Sequence, residues 1–438
     1  MPIPNRLFVG IDVSLQHLDL ALLNQEGERV CRHRRFPNTW PGYQQIQAWL
    51  AQTMTQRGFE EVDIAAEATS YYWLPAFYQL DQDAGWAAFQ PRLYLLNARW
   101  VYWHKRTLSP DHKDDTTDPE YIADRIRTRR PPYTWHYDPK WLPLRLLTRF
   151  HAHLTKSLAR EKNLAQLYTF LAYTHYRARR PFSDPLAKTS QKLLRHPEWL
   201  AAWQCLDPEQ QAAALDEFSA HDLRDPYRNA QCLQEILQQR FPLAAEMVPQ
   251  VQFVLEQLLD LIAAQEKQID QLDQHIAELI QTGPYPEVAW LDSIPGLGPV
   301  LSSGLVAEIA GLERFIQVPK WDKQRQGYRP RTTQELEDAI AKIAGLWWPK
   351  NSSGDFTAEE TPMSKKGNAY LRYYILEAAD HMRQWIPRYQ AYYRAKFTQA
   401  TKHKHKRALV LTGRKALGLF VALLRHQEPY RAEEGPTH

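Results

Sequence analysis

The first third of the chain limits the fold most, because its apolar residues alternate in short runs separated by turns. LFVGIDVS (7–14) and LDLALLN (18–24) are followed by the turn QEGE and then RVCRHRRF (29–36), a pattern that pairs as an antiparallel three-strand meander. YQQIQAWLAQTM (43–54) has helical spacing, VDIAAEAT (62–69) reads as a fourth strand, and GWAAFQ (85–90) as a fifth. Three hairpin strands, a helix, a strand, a helix and a strand is the order of an RNase H-like α/β fold.

Two acids interrupt these strands. Asp12 follows an apolar run in the first strand, and Glu67 closes the fourth after IAA. A carboxylate there is costly unless it is paired, metal-bound or at an exposed sheet end. Taken singly, each reads as a solvent-facing strand end. In the meander, however, the first and fourth strands are neighbours, so the two acids converge and offer hard oxygen ligands to magnesium. Downstream, SPDHKDDTTDPEYIADRI (109–126) places Asp115 and Asp118 three apart, which on a helix puts both on one face. Four such acids suit one or two divalent ions in phosphoryl transfer. The competing reading is an acidic helix start, with Asp118 as N-cap and Pro119 at the first helical position.

From about Leu144 the pattern turns helical. Residues 151–179 form one long amphipathic segment, and 180–245 reads as several shorter helices. Val251, Leu255, Leu258, Ile262, Gln265, Ile269, Leu272, Ile276 and Leu279 then repeat at alternating steps of four and three. That repeat fits either a coiled coil between chains, with Gln265 fixing register, or a hairpin against 151–179. SIPGLGPVLSSGLVAEI (293–309) has the helix-hairpin-helix pattern, whose turn glycines leave N–H groups open to a phosphate. The expected parts are an α/β domain at 1–145, a helical and coiled-coil linker at 146–284, and an all-α C-terminal domain at 285–438.

The net charge of +4 hides an asymmetry. Between Met363 and Arg425, 14 Lys or Arg stand against two acids, Glu377 and Asp380. That segment carries +12, and the remainder therefore −8. A polyanion partner is expected, since phosphate neutralisation releases counterions. Aromatics interleaved with the cations in RYQAYYRAKF (388–397) favour nucleic acid. The run KHKHKR (402–407) reads as phosphate contacts or as a solvated tail, and its lysines argue against a metal at His403 and His405. Three scattered cysteines, Cys31, Cys205 and Cys232, argue against a disulfide framework and for a reducing, cytoplasmic setting. No apolar run approaches the roughly 18 residues of a membrane span, so neither secretion nor insertion is expected.

GLWWPKNSSGDF (345–356) sets Ser352 and Ser353 beside two tryptophans and a proline, with no histidine nearby. Local sequence reads this as a polar turn.

Together these residues resemble the DEDD transposases of the insertion-sequence 110 family, relatives of the pilin-gene invertase and known as bridge-RNA-guided recombinases. GIDVS, AAEAT, Asn97-Ala98-Arg99 and the element of Lys113, Asp115 and Asp118 resemble the family's RuvC-like half. IPGLGP (294–299), AEI (307–309), ERF (313–315), AGL (344–346), SG (353–354) and KKGNAYLR (365–372) resemble its transposase half. The resemblance implies that Asp12, Glu67, Asp115 and Asp118 hold Mg2+, one or two ions, and that Ser353 is the nucleophile, with Ser352 as the fallback. It further implies donor and target DNA as substrates, a non-coding guide RNA, and a homo-oligomer, dimer or tetramer. Candidate nucleic-acid contacts are Lys113, Arg125, Arg127, Arg129, Arg130, Lys365, Lys366, Arg372, Lys402, Lys404, Lys406 and Arg407. Segments 180–245 and 318–341 look like insertions relative to a compact member. Two other functions compete: a junction-resolving nuclease that uses water, with Ser353 structural, and a non-catalytic nucleic-acid-binding module.

Overall fold

The computed structural model describes residues 5–68, 70–108, 117–131, 134–316, 320–322, 326–349 and 361–432, together with the backbone of 352–353 and 356–357. Lys113 and Asp115 lie outside the described residues. Packing divides the chain into two compact units, Met1–Pro139 and Lys140–His438. Residues 146–284, set apart in sequence, share the second unit with 285–438.

The first unit is built on strands β1 (Arg6–Val13), β2 (His17–Leu23) and β3 (Arg34–Pro37), helix α1 (Trp40–Arg57), β4 (Glu61–Glu67), α2 (Leu74–Gln82), β5 (Arg92–Leu96), α3 (Ala98–Leu108) and α4 (Asp118–Thr128). The sheet order is β3-β2-β1-β4-β5, with β1 antiparallel to β2 and parallel to β4. Strands covered on both faces read as nearly continuous apolar runs, which explains VDIAA and LFVGI. Leu7, Val9, Ile11, Val62 and Ile64 pack with α1 and α2 on one face, whereas Phe8, Ala65, Tyr94 and Leu96 pack with α3 and α4 on the other.

GWAAFQ is not the fifth strand. Residues Ala84–Phe89 form a 3-10 turn started by Asp83, whose side chain accepts from Gly85 N–H, and Trp86 is buried with its indole N–H 3.3 Å from the Tyr43 hydroxyl. One bulky ring turned inward between small residues satisfies a turn, and the sheet partner is instead RLYLL, paired in parallel with β4. RVCRHRRF likewise contributes only its end to β3.

The second unit opens with α5 (Trp141–Ala172), followed by α6 (Tyr176–Arg179), α7 (Lys188–Arg195), α8 (Pro197–Trp203), α9 (Pro208–Phe218) and α10 (Pro226–Gln239), then the long α11 (Val248–Thr282). The heptad stripe of α11 finds its partner inside the chain. The His151–Asp273 contact and the Lys162–Glu266 ion pair, with Gln265 donating to Ser157 Oγ at 3.2 Å, show α11 running antiparallel along α5. Leu255, Leu259 and Ile262 share a core with the short helices between the two long ones.

Next come α12 (Pro286–Asp292), α13 (Pro299–Ile309), α14 (Glu313–Ile316), the β6 (Lys320–Asp322) and β7 (Gly327–Arg329) ribbon, α15 (Thr333–Ala344), the short pair β8 (Ser352–Ser353) and β9 (Phe356–Thr357), and α16 (Ala369–Trp385), α17 (Pro387–Gln399) and α18 (Lys404–His426). They enclose the largest core, to which α5 contributes Trp141, Leu144 and Ala152. Gly304 of α13 lies flat against the Tyr374 ring, whose hydroxyl donates to Thr148 O at 2.5 Å.

Candidate functional site

Asp12 and Glu67 stand one step beyond the parallel pair Ile11–Ala66, at the carboxyl ends of β1 and β4. Open α/β sheets place their clefts at such strand ends. Both side chains belong to the face that α4 crosses. Gly10 makes that crossing possible, since a Cβ there would lie 1.9 Å from Pro119 O and 2.6 Å from Ala123 N. The close approach brings the start of α4, and with it Asp118, to the end of β1. Pro119 does not disturb this geometry, because a proline in the first helical turn forfeits no intrahelical hydrogen bond.

Asp12, Glu67 and Asp118 line one cleft of about 570 Å³ together with Arg99, Tyr102 and Lys105. Burial, then the charges of Asp12 and Asp118, push the Glu67 carboxyl above its ordinary value. Carboxylate oxygens gathered in this way are the hard donors that a divalent cation takes. Among the described residues, no three acids, histidines or cysteines stand close enough to enclose an ion by themselves. Lys105 lies on Asp118 in an ion pair, and His104 pairs with Asp124 at 2.8 Å, so α3 is clamped to α4 by charge. Asn97 starts α3 by accepting the Arg99 N–H at 2.9 Å, which turns Arg99 into the cleft.

The four arginines proposed as nucleic-acid contacts in this unit divide in use. Arg127 is held by Asp124 and by Gln25 O, and Arg130 by the fully buried Asp63 at 2.7 Å. Arg125 lies 5.7 Å over the Trp100 ring, and Arg129 is exposed at the end of α4. With Trp103 they border a second cleft of about 550 Å³. Sequence reasoning passed over Trp100, Tyr102, Trp103 and Lys105, although WVYWHKR directly follows Asn97-Ala98-Arg99 and, with Arg106, carries five rings or cations that no core needs.

In the second unit several fragments that carry the resemblance prove to be joints. AGL is the helix stop of α15: Gly345 has φ +72°, and Leu346 N–H returns to Ala341 O at 2.8 Å. Asn368 caps α16 through its side-chain oxygen and donates 2.6 Å to the buried Glu308 of AEI. Glu308 also receives Arg149 of α5 at 2.6 Å. Arg372 donates to Ala344 O and Lys365 O at 2.8 and 3.1 Å, while Lys365 and Lys366 are exposed. Ser352 and Ser353 pair with Thr357 and Phe356 as β8 and β9.

KHKHKR is ordered at the start of α18. Lys402, Lys404 and Lys406 are exposed, and His405 Nδ1 lies 2.7 Å from the Tyr393 hydroxyl. Arg383 covers Tyr393 at 4.5 Å and Lys415 covers Tyr392 at 4.3 Å, so RYQAYYRAKF and KHKHKR meet on one basic, aromatic surface with Arg407 at its inner edge.

Two family models match the chain. One, described as a transposase of the DEDD, IS110 type, covers residues 9–172, and one described as "Transposase IS116/IS110/IS902 family" covers 332–394. The chain belongs to the IS110 family of transposases. The transposase therefore cuts and rejoins DNA strands and depends on a divalent metal. Its first match takes in Asp12, Glu67, Asp118 and the Asn97-Ala98-Arg99 start of α3; its second takes in the joint at Gly345, the serine strand and the Asn368 cap. No curated protein matches the transposase. Among its described residues no helix is long and apolar enough to cross a membrane.

Proposed function

We propose that this transposase exchanges DNA strands through a covalent phosphoserine formed by Ser353, with Mg2+, one or two ions, at Asp12, Glu67, Asp115 and Asp118, and that its first unit is an RNase H-like, RuvC-like domain. The observation that carries the reading is the convergence of Asp12, Glu67 and Asp118 on one cleft under a sheet of order β3-β2-β1-β4-β5. The bound cation supplies Lewis acidity at a phosphate oxygen and offsets the charge that the three carboxylates accumulate. Arg99 and Lys105 bring cationic hydrogen-bond donors to the same cleft and orient the phosphodiester.

The serine Oγ forms a bond to phosphorus as the bond from phosphorus to one strand's oxygen breaks. The serine proton leaves, and the departing strand gains a proton as its hydroxyl forms. One phosphodiester replaces another, so rejoining needs no external energy source. Sequence reading is assigned to a guide RNA that pairs with donor and target DNA. The basic surface of α17 and α18, with Lys365, Lys366 and Arg129, holds phosphates, and the working assembly is a dimer or tetramer in the cytoplasm.

The test is to incubate the protein with its guide RNA, DNA and Mg2+, denature, and map any protein–DNA linkage by mass spectrometry. A phosphodiester-linked peptide containing Ser353, absent in Ser353→Ala, is expected. Undiminished strand cleavage by Ser353→Ala would overturn the phosphoserine and point to water as nucleophile.

A further inference from the structure

Helix α3 is oddly spent. Of its 11 residues only Val101 is buried, while Trp100, Tyr102 and Trp103 are 48, 51 and 51% exposed. Large rings left in water on one helix mark a surface that something covers. The helix has no acid and carries Arg99, Lys105 and Arg106, so its charge favours an anionic partner over an ordinary protein face. Arg125 already lies over Trp100, and Arg106 over Tyr102 at 5.6 Å, which leaves flat π surfaces flanked by guanidinium groups. Trp100, Trp103, Arg125 and Arg129 border the cleft of about 550 Å³, a volume within the range of small-ligand pockets. Trp103 also borders the carboxylate cleft, so the two clefts adjoin across that ring.

We infer that the Trp100–Trp103 cleft holds an unstacked base of the DNA strand that is cut, next to the phosphodiester in the carboxylate cleft. This rests on the strand-exchange reading above and adds a substrate class: DNA locally unpaired at the cleavage point. A base lifted from its stack loses ring contacts that an exposed indole replaces, and an adjacent arginine holds the flanking phosphate. Duplex DNA with every base stacked presents no free ring to the cleft.

The test uses the full-length protein in EDTA, so that binding is read apart from cleavage. Fluorescence anisotropy gives affinities for a labelled single-stranded oligodeoxynucleotide, its duplex, and the RNA of the same sequence. A 2-aminopurine in the single strand reports stacking. Trp100→Ala with Trp103→Ala should weaken single-strand binding about ten- to a hundred-fold and restore 2-aminopurine emission, with duplex affinity held within about two-fold. Trp100→Phe with Trp103→Phe should recover most of the affinity.

Equal losses for single strand and duplex, an unfolded circular dichroism spectrum for the Phe variant, or a tryptophan-dependent preference for RNA would overturn the inference. Unchanged single-strand affinity in the Ala variant would sink it alone, leaving the Ser353 adduct untouched. Loss of the adduct with tryptophan-dependent binding intact would sink the strand-exchange reading alone.

Discussion

Gly10→Ala is the sharpest probe of how the carboxylates are brought together. The added methyl would sit 1.9 Å from Pro119 O and 2.6 Å from Ala123 N, both backbone atoms of α4. Normal separation for such atoms is about 3.5 Å, so α4 must retreat from β1 by roughly 1.5 Å. Helix backbone cannot rotate away as a side chain can, so the whole start of α4 moves, and Asp118 moves with it. Overpacking of this kind costs about 1–3 kcal/mol, and a displacement near 1 Å at a reacting centre costs roughly 10²-fold in rate. Gly298→Ala is the control, since a Cβ there meets nothing within 4 Å. Chemical denaturation and a divalent-dependent cleavage assay read the two effects. A Gly10→Ala protein with parent stability and parent cleavage rate would refute the proposed packing of α4 on β1.

Asp12→Asn and Glu67→Gln should each lower divalent-dependent cleavage by about 10²–10³-fold, measured on a labelled substrate; activity within a few-fold of parent would remove these acids from the chemistry. In EDTA, Glu67 makes stability depend on pH: its native carboxyl keeps a proton that the unfolded chain, near 4.5, has released, so stability falls as pH rises from that value to the raised native one. Glu67→Gln should flatten that slope in thermal melts across pH 4 to 7, and an unchanged slope would assign it to other groups. Glu308→Ala strands Arg149 and Asn368 and should cost about 3 kcal/mol or more in urea unfolding, with a loss under about 1 kcal/mol counting against the joint.

Much of the first unit was legible because its strands are buried on both faces. Short apolar runs and their terminal acids placed β1, β2 and β4 and set Asp12 beside Glu67. GWAAFQ misled because one aromatic among small residues looks apolar in either a strand or a turn, and only the Asp83 cap and the Tyr43 partner of Trp86 decide between them. Gly10 could not be read, since a glycine needed for close approach looks the same as one needed for a turn. Periodicity also left the partner of α11 open, as the same stripe serves an intermolecular zipper or an internal hairpin. Spacing singled out Asp118 without deciding between a metal ligand and a helix start, while Lys105 and Trp100 required knowing that α3 lies alongside α4. The side chain of Arg372 carries a charge suited to phosphate, yet the structure spends it on two carbonyl oxygens at the end of α15.

Because α11 folds back along α5, the chain leaves the hairpin at Ala172 and returns at Val248 at the same end of it. Everything between is a cap carried on the tip of a two-rod arm, remote in sequence from both family matches' motifs. A short bridge from one rod to the other would suffice for connectivity, so this cap can be exchanged or enlarged while Trp141, Leu144 and Ile276 keep the base of the arm seated. What limits such grafting is the greasy patch of Leu255, Leu259 and Ile262, which any replacement must keep dry.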